Sequence, residues 1–314
     1  MHTKARSNLL LLLAAFIWGV AFVAQSVGMD YVGPFTFISV RNFIATIVLL
    51  PCIKILDRCN RFAEGTGSNC CGGKTLIIGG IVCGVCLSVA SSFQQIGINY
   101  TTVGKAGFIT AMYIVIVPIL GFFIGKTVRL IAWVSVAIAV VGLFLLCMTE
   151  SLSFSRGDLL VLICAFCFAL HILCIGHFSP KVDGVRMSCI QFFTCGILCG
   201  IPAMIFESPD IRSIFAAWVP ILYAGALSSA VGYTLQIIAQ KNTEPVIASL
   251  LMSLESVFSV LAGWVLLHQK LSAREMLGCL VIFAAIVLTQ LPSPKSLEKQ
   301  ASDDKRNRRG TGNT

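Results

Sequence analysis

The chain has 314 residues, of which 57% are hydrophobic and 12% charged, about half the charge of an ordinary soluble domain. Too few polar residues are present to coat a water-facing surface of that size, so a soluble globular enzyme is excluded and lipid is the expected solvent. The net charge of +9 does not point to nucleic acid. The basic residues lie between apolar runs and in the C-terminal tail, not clustered with aromatics, and that placement suits the setting of membrane topology.

Ten apolar segments follow one another, at 8–27, 34–56, 75–95, 103–125 and 127–148, then 158–175, 186–206, 214–238, 245–267 and 274–291. Each has roughly the length that a helix needs to cross about 30 Å of hydrocarbon. Lys4 and Arg6 before Leu9–Leu13 have the look of a signal peptide, but the apolar run continues through Trp18 to Val27. A retained first helix is therefore expected. Between the fourth and fifth segments only Gly125-Lys126-Thr127-Val128-Arg129 intervenes, which predicts a tight hairpin. With ten spans and a cytoplasmic N-terminus, 17 Lys and Arg fall on the inner side and in the tail, against 4 in the outer loops. This bias predicts a multi-pass protein of the cell membrane with both termini cytoplasmic. The polar tail, residues 292–314, lacks aromatics and is expected to be disordered.

The fourteen cysteines raise the question of metal or disulfide chemistry. Cys83-Gly-Val-Cys86 and Cys164-Ala-Phe-Cys167 have ligand-like spacing, but they sit within apolar runs without His or Asp neighbours, where cysteine is a small hydrophobe. Cys59 and Cys70-Cys71 are expected as free thiols in a reducing compartment. Neither a metal nor a cofactor is expected.

The chain also repeats itself. Ala15-Phe16-Ile17-Trp18-Gly19 matches Ala165-Phe166-Cys167-Phe168-Ala169 at an offset of 150, and at the same offset Arg41 falls on Gln191 and Phe43 on Phe193. Asn99-Tyr100-Thr101-Thr102 resembles Gln240-Lys241-Asn242-Thr243 at an offset near 140. Two halves, 1–148 and 149–291, would each hold five spans, and an odd number turns the second copy upside down. Inverted repeats of this kind build secondary transporters, with the solute site near the midplane between the halves.

Trp18-Gly19, Tyr100-Thr-Thr-Val-Gly-Lys105, Pro118, Leu254-Glu255-Ser-Val-Phe258 and Gly263-Trp264-Val-Leu-Leu267 together resemble the EamA-type branch of the drug/metabolite transporter superfamily. The resemblance runs from Asn8 to Leu291 and departs at His268-Gln269, where the family commonly has Gly-Glu. It implies an all-α membrane protein of ten transmembrane helices, arranged as two inverted five-helix repeats around a central cavity. It also implies transport of metabolites such as amino acids, often outward.

Ionisable groups within a bilayer are expensive, so each is a candidate for function. Glu255 lies about ten residues into the ninth segment, roughly 15 Å deep, where it suits proton coupling, a cationic solute group, or a structural pair with Arg41 or Lys105. Arg41 would attract an anionic group or clamp helices. Lys105 would either snorkel or line the cavity. His171 offers titration near neutrality or a helix-bridging hydrogen bond. Gln191, Gln236, Gln94 and Gln95 would link helices or line a wet cavity, and Trp18, Tyr113 and Tyr233 would supply stacking surface. Gly121/Gly125 and Gly196/Gly200 have the spacing of close helix contacts. Pro118 is a hinge candidate, and Pro51 and Pro202 fall at comparable places in the two halves.

The reading is a secondary transporter, an exporter of a small metabolite such as an amino acid, working by alternating access with a proton as one source of energy. Its partners would be a small-molecule substrate and the lipid bilayer, with a homodimer as an open option. A multidrug exporter is the first alternative. A lipid-acting membrane enzyme is the second, although no H-E-x-x-H, G-x-S-x-G or phosphate-binding loop occurs.

Overall fold

The computed structural model describes residues 2–63, 73–101, 103–125, 128–147, 155–266 and 272–290. Cys70-Cys71, His268-Gln269 and the tail lie outside these, as do the side chains of Cys59 and Lys105. The described residues form helices and turns. In chain order they are α1 (His2–Gly28), α2 (Pro34–Ala63), α3 (Gly73–Ile98), α4 (Val103–Ala111), α5 (Tyr113–Phe123), α6 (Leu130–Cys147) and α7 (Arg156–Phe178). There follow α8 (Gly184–Phe206), α9 (Ile211–Ala216), α10 (Trp218–Leu222), a π-helical stretch (Tyr223–Tyr233) and α11 (Thr234–Gln240). The last are α12 (Pro245–Met252), α13 (Glu255–Leu266) and α14 (Ala273–Gln290).

Among the described residues, eight helical stretches are long and apolar enough to cross a membrane, and Leu130–Leu146 is a shorter apolar helix. Large side chains such as Ile47, Ile78, Phe122, Phe206 and Phe283 are more than half exposed. An apolar surface on this scale is untenable in water, so the protein is a multi-span membrane protein. The packed pairs α2 and α8, α3 and α7, and α6 and α14 run antiparallel. The face where α1 begins is here called proximal, and the face where it ends distal.

The ends of the helices follow local chemistry. Ser155 caps α7 by accepting from the Asp158 N–H, while the Asp158 carboxylate accepts from the Ser155 N–H at 2.8 Å. This reciprocal box satisfies two donors that a helix start otherwise leaves open. Asp183 and Asp210 cap α8 and α9, and Pro245 opens α12. Gly125, at φ +75°, provides the left-handed turn that closes α5. Replacing Ser155 with Ala should lower stability by about 1 kcal/mol, measurable as a fall in the unfolding temperature of the detergent-solubilised protein.

Packing is close at α2 against α8, α3 against α7 and α8, and α6 against α14. Gly196 and Gly200 behave as their spacing predicts, for a Cβ on either would meet Phe43 or Ser39 of α2 at 3.1 or 3.0 Å. Gly121 and Gly125 do not, since nothing lies within 4 Å of a Cβ built on either. They face a proximal cavity of about 410 Å³ bordered by Val117, Leu173 and Val246, so their smallness leaves open space where a helix contact was expected. Pro51 and Pro202 both lie inside helices, not at their termini.

Candidate functional site

Two of the long apolar stretches are broken near their middles. Met112 separates α4 from α5, and Ser253-Leu254 separates α12 from α13. Both breaks are turns tightened to three-residue hydrogen bonds, from the Val115 N–H to the Met112 carbonyl and from the Ser256 N–H to that of Ser253. Ser249 and Ser253 also bond back through their hydroxyls to the Val246 and Leu250 carbonyls, which competes with regular helix. The interruption in the first half therefore lies six residues before Pro118, the expected hinge, and Pro118 is accommodated within α5.

The residues that open α5 and α13 meet. The Tyr113 hydroxyl donates to Glu255 Oε1 at 2.9 Å, across 142 positions of sequence. Both side chains line an internal cavity of about 50 Å³ that is also bordered by Trp18, Gln25, Arg41, Gln94, His171 and Gln236. At about 10–15 Å³ per water centre, this volume holds a few waters.

The polar contacts around this cavity are sparse. Arg41 is 3% exposed, and its Nη2 donates to Ser91 Oγ at a long 3.3 Å, while its Nε has no partner. The Phe37 ring lies 6.0 Å from its guanidinium carbon. His171 Nε2 pairs with Gln191 Oε1 at 3.1 Å, leaving the buried Gln191 Nε2 unpartnered. Trp18 donates its indole N–H to the Ser228 carbonyl at 3.1 Å and lies 4.7 Å from the Tyr233 ring. Oε1 of both Gln25 and Gln236 also lacks a partner. Buried polar groups are costly unless hydrogen-bonded, so the lining is chemically unfinished among the described residues and suits contact with water or a polar solute.

Of the residues singled out from sequence, Glu255, Tyr113, Trp18, Arg41, His171, Tyr233 and Gln236 converge on this one cavity. Gln191 reaches it through His171. The pairing of Glu255 with Arg41 is not observed, and among the described residues neither is in an ion pair. The side chain of Lys105 is not described. Gln95 points elsewhere, donating to the Gln25 carbonyl at 3.4 Å. Phe22, Thr110, Phe168 and Met252 also line the cavity and were not singled out. Number spacing finds them, because twelve of the sixteen lining residues fall in pairs at one of two spacings. Trp18/Phe168, Ala21/His171 and Phe22/Ile172 are 150 positions apart. Gln94/Gln236 and Thr110/Met252 share the 142-position spacing of Tyr113/Glu255.

Comparison with known proteins gives the fold and its lineage. The sequence model described as EamA-like transporter family matches residues 5–148 and again residues 155–291. The chain belongs to the EamA-like transporter family. An uncharacterized transporter of Archaeoglobus fulgidus is 30% identical over 286 residues, spanning 91% of this chain and 86% of the relative. The uncharacterized transporter YoaV of Bacillus subtilis is 21% identical over 280 residues, 87% of this chain and 92% of its own. A solved crystal structure superposes with a TM-score of 0.73 at 17% identity, covering 91% of this chain and 98% of that one. Membership of this family supports a transporter role, and the relatives' names point the same way. The two matched segments begin 150 positions apart, the same spacing that pairs Trp18 with Phe168.

Proposed function

We propose that this EamA-family transporter is a secondary carrier that exports a small polar metabolite, such as an amino acid, by alternating access around the Tyr113–Glu255 cavity. The observation that carries the reading is the meeting of two broken helices at their first residues, beside the buried Arg41 and Glu255, neither of which is in an ion pair among the described residues. Discontinuous helices are how transporters bring polar groups to mid-membrane depth.

In this reading α6 and α14 also cross the bilayer, making ten spans in two inverted repeats, 1–148 and 149–291. The paired lining residues are then the same positions seen from each repeat. The cavity would bind the solute between Arg41, which takes an anionic group, and Glu255, which takes a cationic group or the coupling proton. His171 with Gln191, and Trp18 with Tyr233, would set its orientation and exclude misfits. The proximal cavity lies about one turn away along α5, since Val117 borders it and Tyr113 borders the central one. It would serve as the approach from the cytoplasm, the side on which the charge bias places both termini. The protein would sit in the cell membrane, and a homodimer is compatible with this arrangement.

Counterflow of labelled amino acids and related metabolites into preloaded proteoliposomes tests the reading. At least one solute class should be accumulated transiently against its gradient. Inactivity across cationic, anionic and aromatic solutes would remove it.

A further inference from the structure

The proximal cavity is walled by α5, α6, α7 and the start of α12. Pro245, the first residue of α12, is seated against α7, where a Cβ on Gly176 would meet its Cγ at 2.8 Å. On the other side α5 stands off, since nothing lies within 4 Å of a Cβ built on Gly121. The space between is about 410 Å³, within the roughly 300–1,000 Å³ of small-molecule pockets.

Its chemistry is divided by depth. Val117, Ala132, Leu173 and Val246 are at most 9% exposed and make the inner wall. Arg129 and Glu244 are exposed and stand at the mouth, one just before α6 and the other just before α12. They are the charged groups of the lining, and no uncharged polar side chain joins them among the described residues. Neither is in an ion pair among the described residues, and the Glu244 side chain does not cap α12 although it holds the capping position. Two opposite charges on different elements are thus left open above an aliphatic interior. The central cavity offers the same two signs in Arg41 and Glu255, but among glutamines, a histidine and a tyrosine hydroxyl.

We propose that the proximal cavity is a binding site of its own, for a zwitterion with an aliphatic chain on its way to the central cavity. This rests on the carrier reading. The solute carboxylate meets the Arg129 guanidinium, whose planar fork suits it. Its ammonium meets the Glu244 carboxylate, and its chain lies on Val117, Leu173 and Val246. A hydroxyl or amide on that chain finds no partner in the lining, and burying it unpaired is costly. The site therefore selects by chain before the solute meets the polar lining around Tyr113 and Glu255.

Equilibrium binding of labelled leucine to the full chain in phosphatidylglycerol nanodiscs tests this, with serine, leucinamide and isocaproate as competitors. Leucine should bind about tenfold or more tighter than serine, the scale of burying one aliphatic side chain. Gly121→Leu, which fills the cavity, should weaken leucine at least about tenfold without lowering the unfolding temperature. Arg129→Gln should weaken leucine about three- to fivefold, the scale of a solvent-screened contact, and leave leucinamide, which lacks the carboxylate, unchanged. Glu244→Gln should weaken leucine by a similar factor and leave isocaproate, which lacks the ammonium, unchanged. Both residues are exposed, so these two variants keep the test decisive where Gly121→Leu fails to fold. Absence of leucine binding, or binding indifferent to the changes at the mouth, would overturn the proposal. Equal weakening of leucine and leucinamide by Arg129→Gln would overturn it as well. So would displacement of leucine by phosphatidylethanolamine that depends on Arg129 and Glu244, which would make this a lipid headgroup site. The expected binding pattern without counterflow of any solute would remove the transport reading and leave the site standing. Counterflow beside indifferent binding would do the reverse.

Discussion

Glu255→Gln is expected to lower pH-gradient-driven transport at least about tenfold while leaving the protein as stable as the parent. The glutamine keeps the shape and an oxygen that can accept from the Tyr113 hydroxyl, so the 2.9 Å contact between α5 and α13 survives. What it loses is the charge. A hydrogen bond or solute contact to a charged group is worth about 1.5–3 kcal/mol, which corresponds to about ten- to hundredfold in rate or affinity. Removing a buried charge also removes its desolvation cost, so folding should not suffer and a fall in transport can be read as function. Two outcomes separate the possible roles of the carboxylate. If counterflow persists and only the response to a pH gradient disappears, Glu255 carries the coupling proton. If both disappear, it holds the solute. Full retention of gradient-driven transport would take Glu255 out of the mechanism. Tyr113→Phe, which keeps the ring and removes the donor, should have the smaller effect, about threefold, because one neutral donor is worth about 1 kcal/mol.

The second large effect concerns α6 and α14. A Cβ on Gly278 would lie 2.6 Å from the Leu146 nitrogen and 2.7 Å from the Gly142 carbonyl oxygen. Both are backbone atoms in a helix, so they cannot swing aside as a flexible side chain does. Gly278→Val should therefore part the two helices and destabilise the protein by about 3 kcal/mol, at the upper end of overpacking penalties. Gly121→Ala is the control, since nothing lies within 4 Å of its Cβ and replacing a helical glycine gains up to about 1 kcal/mol. Thermal unfolding in one detergent compares the pair. A Gly278→Val protein that unfolds at the parent temperature would contradict the packing of α6 on α14.

Composition and apolar run length were enough to read a helical membrane protein, because lipid solvation leaves few other solutions for a chain so poor in charge. The site was legible where cost marks a residue: Glu255, Arg41 and His171 stand out as ionisable groups in apolar runs, and all three line the cavity. Their partners were not legible. Glu255 could have met Arg41, Lys105 or a tyrosine, and the folded position of α5 beside the start of α13 is what brings Tyr113 to it. Pro118 drew attention to its helix, and the break in that helix lies six residues earlier, at Met112. Proline carries a strong local signal, whereas nothing in the residues around Met112 marks a break. The π-helical stretch Tyr223–Tyr233 left no periodic trace, since Gly225, Ser228, Ser229 and Gly232 are small enough for either winding. Glu207 was not singled out from sequence, and its contact with the Phe35 and Thr36 N–H groups exists only because α8 ends beside the start of α2.

The central claim is that one cavity is served from both faces in turn. Ala21, 1% exposed and bordering that cavity, offers the test. Ala21→Cys, in a chain whose fourteen native cysteines are replaced, would be labelled with a membrane-impermeant maleimide in right-side-out and in inverted vesicles. The account predicts labelling from either side in vesicles that remain tight to the reagent. Labelling from one side alone, or vesicles made leaky by the protein, would contradict it.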